Sequence, residues 1–114
     1  MIYLDYTANT PADPDVLDAY LAAERRYIAN PNSTHIAGQE ARAEMERVTQ
    51  SIAQHLGVQP AEIIYTSGAS EANNLALKGI AHASRHIGKH IISTQLEHSS
   101  VGASLSALQQ QGYE

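Results

Sequence analysis

Residues 63–74 read Ile-Ile-Tyr-Thr-Ser-Gly-Ala-Ser-Glu-Ala-Asn-Asn, and this stretch decides the fold class. Its first four residues are mostly apolar or β-branched, which predicts a short buried strand over residues 63–66. The small residues that follow, 67–70, predict a tight turn, and residues 71 to about 84 then predict a helix. A strand that leads through a turn into a helix is the repeating unit of an α/β fold.

The turn at residues 67–70 has two interpretations. The backbone N–H groups at a helix start lack partners and carry the positive end of the helix dipole. Together with Gly68, Ala69 and the Ser70 hydroxyl, they could cradle a phosphate. Ser67 or Ser70 could equally cap the helix without any ligand. The spacing matches neither a P-loop nor a Gly-x-Gly-x-x-Gly turn, so the residues alone leave both interpretations open.

The rest of the chain continues the alternation of helices and strands. Residues 90–94 predict a second strand, and residues 113–114 resemble the start of another. Apolar residues at helical spacing predict further helices at about residues 15–28 and 36–56, the first with Asp13 as N-cap and the second ending at Gly57. A last helix is predicted to open at residues 97–100 and to close at Gly112.

This alternation predicts a parallel α/β sheet flanked by helices, which needs more strands than the chain supplies. We therefore expect the 114 residues to be the N-terminal part of a larger protein. Within them we expect an arm over residues 1–12, a helical segment over residues 13–57 and the start of the α/β domain over residues 58–114.

Composition excludes several classes of function. The chain has 7 Lys and Arg against 12 Asp and Glu, a net charge of −5, which argues against binding to nucleic acids or to anionic membranes. The absence of cysteine excludes disulfides, a thiolate nucleophile and a Cys-based zinc site within these residues. Because no basic segment followed by an apolar stretch opens the chain, we expect a cytoplasmic location.

Histidines provide the other candidate site residues. His98 follows the second predicted strand, where α/β sheets place ligands, and it could act as an acid or base, lie on a cofactor ring, or merely cap or pack. His82, His86 and His90 are spaced by four, but no glutamate accompanies them, and Gly88 should end the helix before the third. We therefore expect no metal site there.

Four segments together resemble one family, the NifS/IscS-like cysteine desulfurases in the class V group of pyridoxal-phosphate (PLP) enzymes. Residues 3–11, Tyr-Leu-Asp-Tyr-Thr-Ala-Asn-Thr-Pro, resemble the opening of that family. Residues 30–38 are similar to its Asn-Pro-Ser-Ser-x-His-x-x-Gly motif, and residues 64–76 to its Thr-Ser-Gly-Ala-Thr-Glu region. The Glu-His pair at residues 97–98 resembles the pair after its second strand. The four segments stand in the family's order and spacing over nearly the whole chain.

The resemblance implies roles for three residues. Ala69 and Ser70 match the Ala-Thr pair that binds the cofactor phosphate, and serine keeps the hydroxyl. His98 matches the histidine that stacks on the pyridine ring and moves protons. Thr7 and Asn9 depart from the alanine and threonine of the family near the substrate.

For a complete protein, the resemblance implies a fold-type-I PLP enzyme, expected as a homodimer. It would convert L-cysteine to L-alanine and leave the sulfur as a protein-bound persulfide for sulfur-acceptor proteins in iron–sulfur cluster or thiolation pathways. The Schiff-base lysine, the aspartate at the pyridine nitrogen and the catalytic cysteine lie further on in that family. Lys78 and Lys89 do not match the lysine position, so the 114 residues alone are expected to be inactive. Alternatives are another class V enzyme, such as a selenocysteine lyase, and a non-catalytic truncated product.

Overall fold

The computed structural model describes residues 2–114, and its regular structure is helical throughout. Two compact units follow each other along the chain, one ending at Ile63 and the other spanning Ile64–Glu114. The elements are α1 (Pro14–Arg26), α2 (Ile36–Leu56), a 3-10 turn (Pro60–Glu62), α3 (Ala69–Ala83) and α4 (Ser99–Gln109).

The first unit confirms most of the local predictions. The N–H of Asp15 donates to the Asp13 side chain at 2.9 Å, so Asp13 caps α1 with Pro14 at the first helical position. Helix α2 has the predicted bounds and ends at Gly57, whose φ of 69° is left-handed and favours glycine. Helix α1 ends two residues before the predicted position, where Tyr27 leaves helical geometry.

In the second unit, α3 packs against α4 over a small core of Ala81, Leu108 and Tyr113. The Tyr113 hydroxyl donates to the Ala81 carbonyl at 2.8 Å, which satisfies its polar end inside the core. Helix α3 begins at Ala69, two residues earlier than predicted. Gly112, with φ 82°, ends the turn after α4 and lets the chain return toward α3.

The two predicted strands are wrong for this chain, since no strand forms among residues 2–114. A strand is held by hydrogen bonds to neighbouring strands, and within residues 63–66 and 90–94 the only backbone bond of this kind is that of Ile91 to Glu114. Every second isoleucine of these segments is exposed, with Ile64 67% and Ile92 88% exposed. The two segments therefore have the apolar composition of strands but form none among residues 2–114.

One strand-like pairing is present at the end of the described chain. The Glu114 N–H donates to the Lys89 carbonyl at 2.8 Å, and the Glu114 carbonyl accepts from the Ile91 N–H at 2.7 Å. One residue that bonds on both sides to residues two apart on its partner is the pattern of a parallel ladder. The segment after α4 therefore lies beside the second predicted strand.

Candidate active site

Helix α3 begins without a side-chain cap. Its N-cap is Gly68, in extended conformation, and the first helical hydrogen bond runs from the Ala72 N–H to the Gly68 carbonyl at 3.1 Å. The N–H groups of Ala69, Ser70 and Glu71 precede that bond and so have no acceptor within the helix. The Ser70 hydroxyl also finds no partner among residues 2–114, and it is exposed beside them.

Ser67 is occupied by a different contact. Its N–H and hydroxyl donate to Glu71 Oε2 at 2.6 and 2.8 Å, and these bonds hold the pKa of the Glu71 carboxyl below its ordinary value of 4.5. Thr66 adds a bond from its hydroxyl to the Gly68 carbonyl at 3.2 Å. The turn is thus fixed by bonds to Glu71 in the first turn of α3 and to the Gly68 carbonyl, and neither serine side chain caps α3. Ordinary capping by Ser67 or Ser70 therefore does not account for these residues.

The other three α-helices of the described chain are closed at their starts. Asp13 caps α1, His35 caps α2 by accepting from the Gly38 N–H, and His98 caps α4 by accepting from the Ser100 N–H. Each of those caps satisfies an N–H group that α3 leaves open.

His98 lies at the start of α4 within a chain of hydrogen bonds. Its Nδ1 contacts Ser100 Oγ at 2.9 Å and accepts from the Ser100 N–H at 3.2 Å. Ser100 Oγ in turn accepts from Asn73 Nδ2 of α3 at 2.9 Å. Ser100 is buried, whereas the His98 side chain is exposed. The second unit therefore connects the helix that carries Ala69 and Ser70 to the residue that carries the imidazole.

Asn73 and Ser100 are the site residues that the sequence analysis missed. Asn73 lies inside the stretch that resembles the family, and Ser100 is two residues beyond His98. The signal that could have found them is their position, since both are polar residues within three positions of a residue that the resemblance singles out, Ser70 or His98.

The donor set at α3 suits the phosphate of PLP. Three N–H groups without helical acceptors, a free hydroxyl and the positive end of a 15-residue helix are what a phosphate dianion binds. A Cβ placed on Gly68 would meet no atom within 4 Å, so the approach to these groups is open. His98 presents an uncovered ring in the same unit.

The remaining candidates are engaged in local structure. Lys78 donates to Asn74 Oδ1 at 2.6 Å, and the Lys89 ammonium lies 5.5 Å from the Tyr113 ring centroid. His82 Nε2 contacts Gln111 Oε1 at 2.8 Å. Within residues 2–114, no three side chains of His, Cys, Asp or Glu gather closely enough to hold a metal ion.

The two polar loops fold tightly on themselves. In the arm, the Tyr3 hydroxyl donates to the carbonyls of Asp5 and Asn9, both at 2.9 Å. In the second loop the Ser33 N–H donates to the Asn30 carbonyl, and a Cβ on Gly38 would lie 2.6 Å from the Ser33 oxygen. Glycine is required at position 38 because the loop backbone passes directly over it.

Comparison with known proteins decides the family. The class-V aminotransferase family model matches residues 2–114. The chain belongs to this family. Family members depend on PLP, the cofactor whose phosphate suits the open start of α3.

This class-V chain is 47% identical to the human cysteine desulfurase over 114 residues, which is 99% of the chain and 25% of the relative. It is 44% identical to a mitochondrial cysteine desulfurase of Arabidopsis thaliana, with the same coverage. A solved NifS-like protein superposes with a TM-score of 0.86 at 36% identity, over 99% of this chain and 31% of the neighbour. A structure of SspA in complex with cysteine superposes with a TM-score of 0.81 at 36% identity, over 98% of this chain and 32% of that protein. The chain thus spans about a quarter of the length of its curated relatives.

The predicted cytoplasmic location is corrected by the same comparison. Relatives from Arabidopsis thaliana, Drosophila melanogaster, Schizosaccharomyces pombe and Candida albicans are named as mitochondrial, and they point to mitochondria instead. That prediction rested on the lack of a visible leader, which is a weak basis. Separately, no helix over residues 2–114 has the length and apolar character to cross a membrane.

Proposed function

We propose that the chain is the N-terminal part of a PLP-dependent cysteine desulfurase and that it carries the phosphate side of the cofactor site. The observation that carries the proposal is the uncapped start of α3, in a chain that aligns over nearly its full length with cysteine desulfurases. Cysteine as substrate is supported by the names of those relatives and by the cysteine bound to SspA.

Ala69 and Ser70 are the proposed phosphate ligands. Their backbone N–H groups and the Ser70 hydroxyl would bind the phosphate oxygens, and the dipole of α3 would add its positive end. Because the phosphate does not react, these residues anchor the cofactor and contribute mainly to its affinity. PLP, when bound, supplies an electron sink for the amino-acid substrate.

His98 is the proposed catalytic residue of this segment. Its exposed imidazole would lie against the cofactor ring and hold or move a proton at Nε2, since Nδ1 is already engaged with Ser100. The short tether from Ser100 fixes the ring at the start of α4. The same side chain thus serves both as a stacking surface and as an acid–base group.

The proposed fold is a fold-type-I PLP domain with a parallel-rich sheet. The pairing of Glu114 with Lys89 and Ile91 supports this, as do the exposed side chains of Ile64 and Ile92. In the complete protein these segments would gain strand partners. Residues 1–12 would then be an arm, residues 13–57 a helical segment and residues 58–114 the start of the large domain.

The cysteine-desulfurase assignment also implies groups that residues 1–114 do not supply. The lysine that holds PLP and the cysteine that accepts sulfur would lie in the remaining segments of the intact protein, and we propose a homodimer that passes sulfur to acceptor proteins. In this proposal neither Lys78 nor Lys89 replaces the missing lysine.

The test compares the 114 residues with the intact protein in the presence of PLP and L-cysteine. The intact protein should release alanine in equal amount to the sulfur it transfers, and the 114 residues should give no more than their Lys78→Ala, Lys89→Ala double variant. An intact protein that processes selenocysteine but not cysteine would favour a selenocysteine lyase. Turnover by the 114 residues above the control would contradict the assignment of roles.

A further inference from the structure

We propose that Asn73 and Ser100 are positioning residues that hold the His98 imidazole in one tautomer, with the proton on Nε2. The inference rests on the proposed function, because it concerns the residue that would face the cofactor. Asn73 and Ser100 act through His98 and are not themselves proposed to touch the substrate or the cofactor.

The Ser100 hydroxyl lies between Asn73 and His98. A serine hydroxyl has one proton to donate and two lone pairs to accept with. Asn73 Nδ2 can only donate, so at 2.9 Å it occupies a lone pair of Ser100 Oγ. The serine proton is then free to point at His98 Nδ1, which lies 2.9 Å away. This contact leaves the serine proton available to His98 Nδ1, but because the second lone pair can still accept, it does not by itself set the direction of the Ser100–His98 bond.

A second donor reaches the same nitrogen. The Ser100 backbone N–H can only donate, and it donates to His98 Nδ1 at 3.2 Å. With two donors directed at it, Nδ1 must accept, and a neutral imidazole then carries its proton on Nε2. Nε2 has no hydrogen-bond partner among residues 2–114 and the side chain is exposed, so its proton is available to a bound group.

Burial gives the arrangement its rigidity. Ser100 is 8% exposed, and Ser104 beneath it is fully buried with its hydroxyl donating to the Ser100 carbonyl at 2.8 Å. Water therefore competes poorly for the Asn73–Ser100 bond, which joins α3 to α4 across 27 residues of sequence. The bond connects the helix that begins at the proposed phosphate site with the imidazole that would lie on the ring.

The chain offers a matched control in the adjacent asparagine. Asn74 lies on the same helix, but its amide donates to the Ser70 carbonyl and its oxygen accepts from Lys78 Nζ, at 2.9 and 2.6 Å. Replacing either asparagine by aspartate keeps the shape and adds one negative charge. Only at position 73 does the change replace a donor to Ser100 with an acceptor.

The experiment is ¹⁵N NMR of histidine-labelled intact protein, PLP-free and PLP-bound, with His98 assigned from a His98→Gln variant. Spectra are taken near pH 8.5, about two units above the ordinary histidine pKa, so that neutral rings dominate. His98 in the wild type should show an unprotonated Nδ1 and a protonated Nε2. Asn73→Asp should turn the serine proton toward the new carboxylate and move both shifts toward those of a tautomer mixture, and Ser100→Ala should do the same. Asn74→Asp should leave them unchanged.

Turnover supplies a second readout. Asn73→Asp should lower kcat at saturating PLP by about tenfold to a hundredfold, the usual loss for a residue that orients a functional ligand. In a His98→Ala background the same substitution should change kcat less than twofold, because its effect passes through His98. A merely structural role would lower kcat in both backgrounds.

A protonated Nδ1 in the wild type, or equal NMR shifts on Asn73→Asp and Asn74→Asp, would overturn the inference. The NMR result does not depend on cysteine turnover. If the intact protein had no desulfurase activity but showed the expected tautomer and its loss in Asn73→Asp, the proposed function would fail and the positioning role would stand.

Discussion

Helices α3 and α4 lie in the same unit, pack against each other and begin on similar small-residue segments, yet their starts differ. At α4, His98 accepts from the Ser100 N–H and closes the helix. At α3, Gly68 has no side chain to offer, and the nearby Ser67 is bonded to Glu71. The start of α4 thus has a capping side chain that accepts from one of its first N–H groups, whereas the first N–H groups of α3 have no such acceptor.

This contrast shows that a ligand site can be found from the polar groups that a structure leaves without hydrogen-bond partners. A capping side chain stabilises a helix by about 0.5–2 kcal/mol relative to alanine but by only a few tenths of a kcal/mol relative to glycine, so Gly68 leaves the first N–H groups of α3 without a side-chain acceptor at small cost. Local rules of this kind are broken mainly where function requires it. We propose that phosphate binds the open N–H groups of α3 and that His98, which caps α4, faces the cofactor ring.

The largest expected effect on turnover comes from substituting His98, the cap of α4. His98→Ala in the intact protein should lower kcat at saturating PLP by about 10²–10⁴, the usual contribution of a positioned acid–base group. Steady-state cysteine turnover across a PLP titration measures it. His35→Ala, which removes the equivalent cap from α2, serves as the control and should leave kcat near wild type. A His98→Ala enzyme restored fully by added PLP would show that the residue acts on affinity alone.

A substitution at the open start of α3 should change the affinity for PLP and not the rate. Ser70→Ala should weaken PLP binding by about tenfold to a hundredfold, because a hydrogen bond to a charged group contributes about 1.5–3 kcal/mol. At saturating PLP, kcat should change little. Equilibrium dialysis against PLP gives the affinity. The comparison between α3 and α4 breaks if Ser70→Ala controls the rate instead.

A third prediction compares the glycines at two helix starts. Gly38→Ala, near the start of α2, would place a Cβ 2.6 Å from the Ser33 carbonyl oxygen and 2.7 Å from the Ser33 Cβ. The resulting strain should lower the free energy of unfolding by about 1–3 kcal/mol, which exceeds the gain of up to ~1 kcal/mol from alanine in a helix. Gly68→Ala meets no atom within 4 Å and should cost less. Denaturant melts of the PLP-free intact protein compare them, and equal losses would refute the packing argument.

The smallest effect concerns pH and the turn before α3. The Ser67 N–H and hydroxyl lower the pKa of Glu71 from its ordinary 4.5, so the folded state holds the charged carboxylate more tightly than the unfolded state does. This stabilisation is present above the ordinary value and is lost as pH falls through the lowered pKa. Because Glu71 is exposed, the effect is small.

Thermal melts of the wild type and Glu71→Gln, compared from neutral pH down to about pH 3, test this linkage. The advantage of the wild type should shrink below about pH 4.5, because the unfolded chain takes up the proton there while the lowered pKa keeps folded Glu71 charged. A difference between the two proteins that is constant over the whole pH range would contradict it.

The features that the sequence predicts well are the ones that local chemistry determines. The bounds of α2, the Asp13 cap and the left-handed Gly57 all depend on residues a few positions apart. The strands at residues 63–66 and 90–94 failed because a strand depends on partners elsewhere. The sequence also placed Ala69, Ser70 and His98 at helix starts, but it could not show that Ser67 turns to Glu71.

The Asn73–Ser100–His98 contacts lay beyond sequence reasoning for the same reason. The Asn73–Ser100 bond joins residues 27 apart, and it depends on how α3 packs against α4, which periodicity does not specify. The same limit applies to folding. With Ile64 and Ile92 uncovered, the 114 residues alone should be marginally stable and prone to aggregate, which their melting behaviour and NMR dispersion would show.

Whether the open start of α3 binds the phosphate of PLP can be tested by comparing PLP with pyridoxal, which lacks the phosphate. Both are titrated into the PLP-free intact protein and its Ser70→Ala variant. We expect Ser70→Ala to weaken the binding of PLP by about tenfold to a hundredfold and to change the affinity for pyridoxal by less than about twofold, because the lost bond goes to the phosphate alone. Equal weakening of both compounds, or of neither, would contradict it.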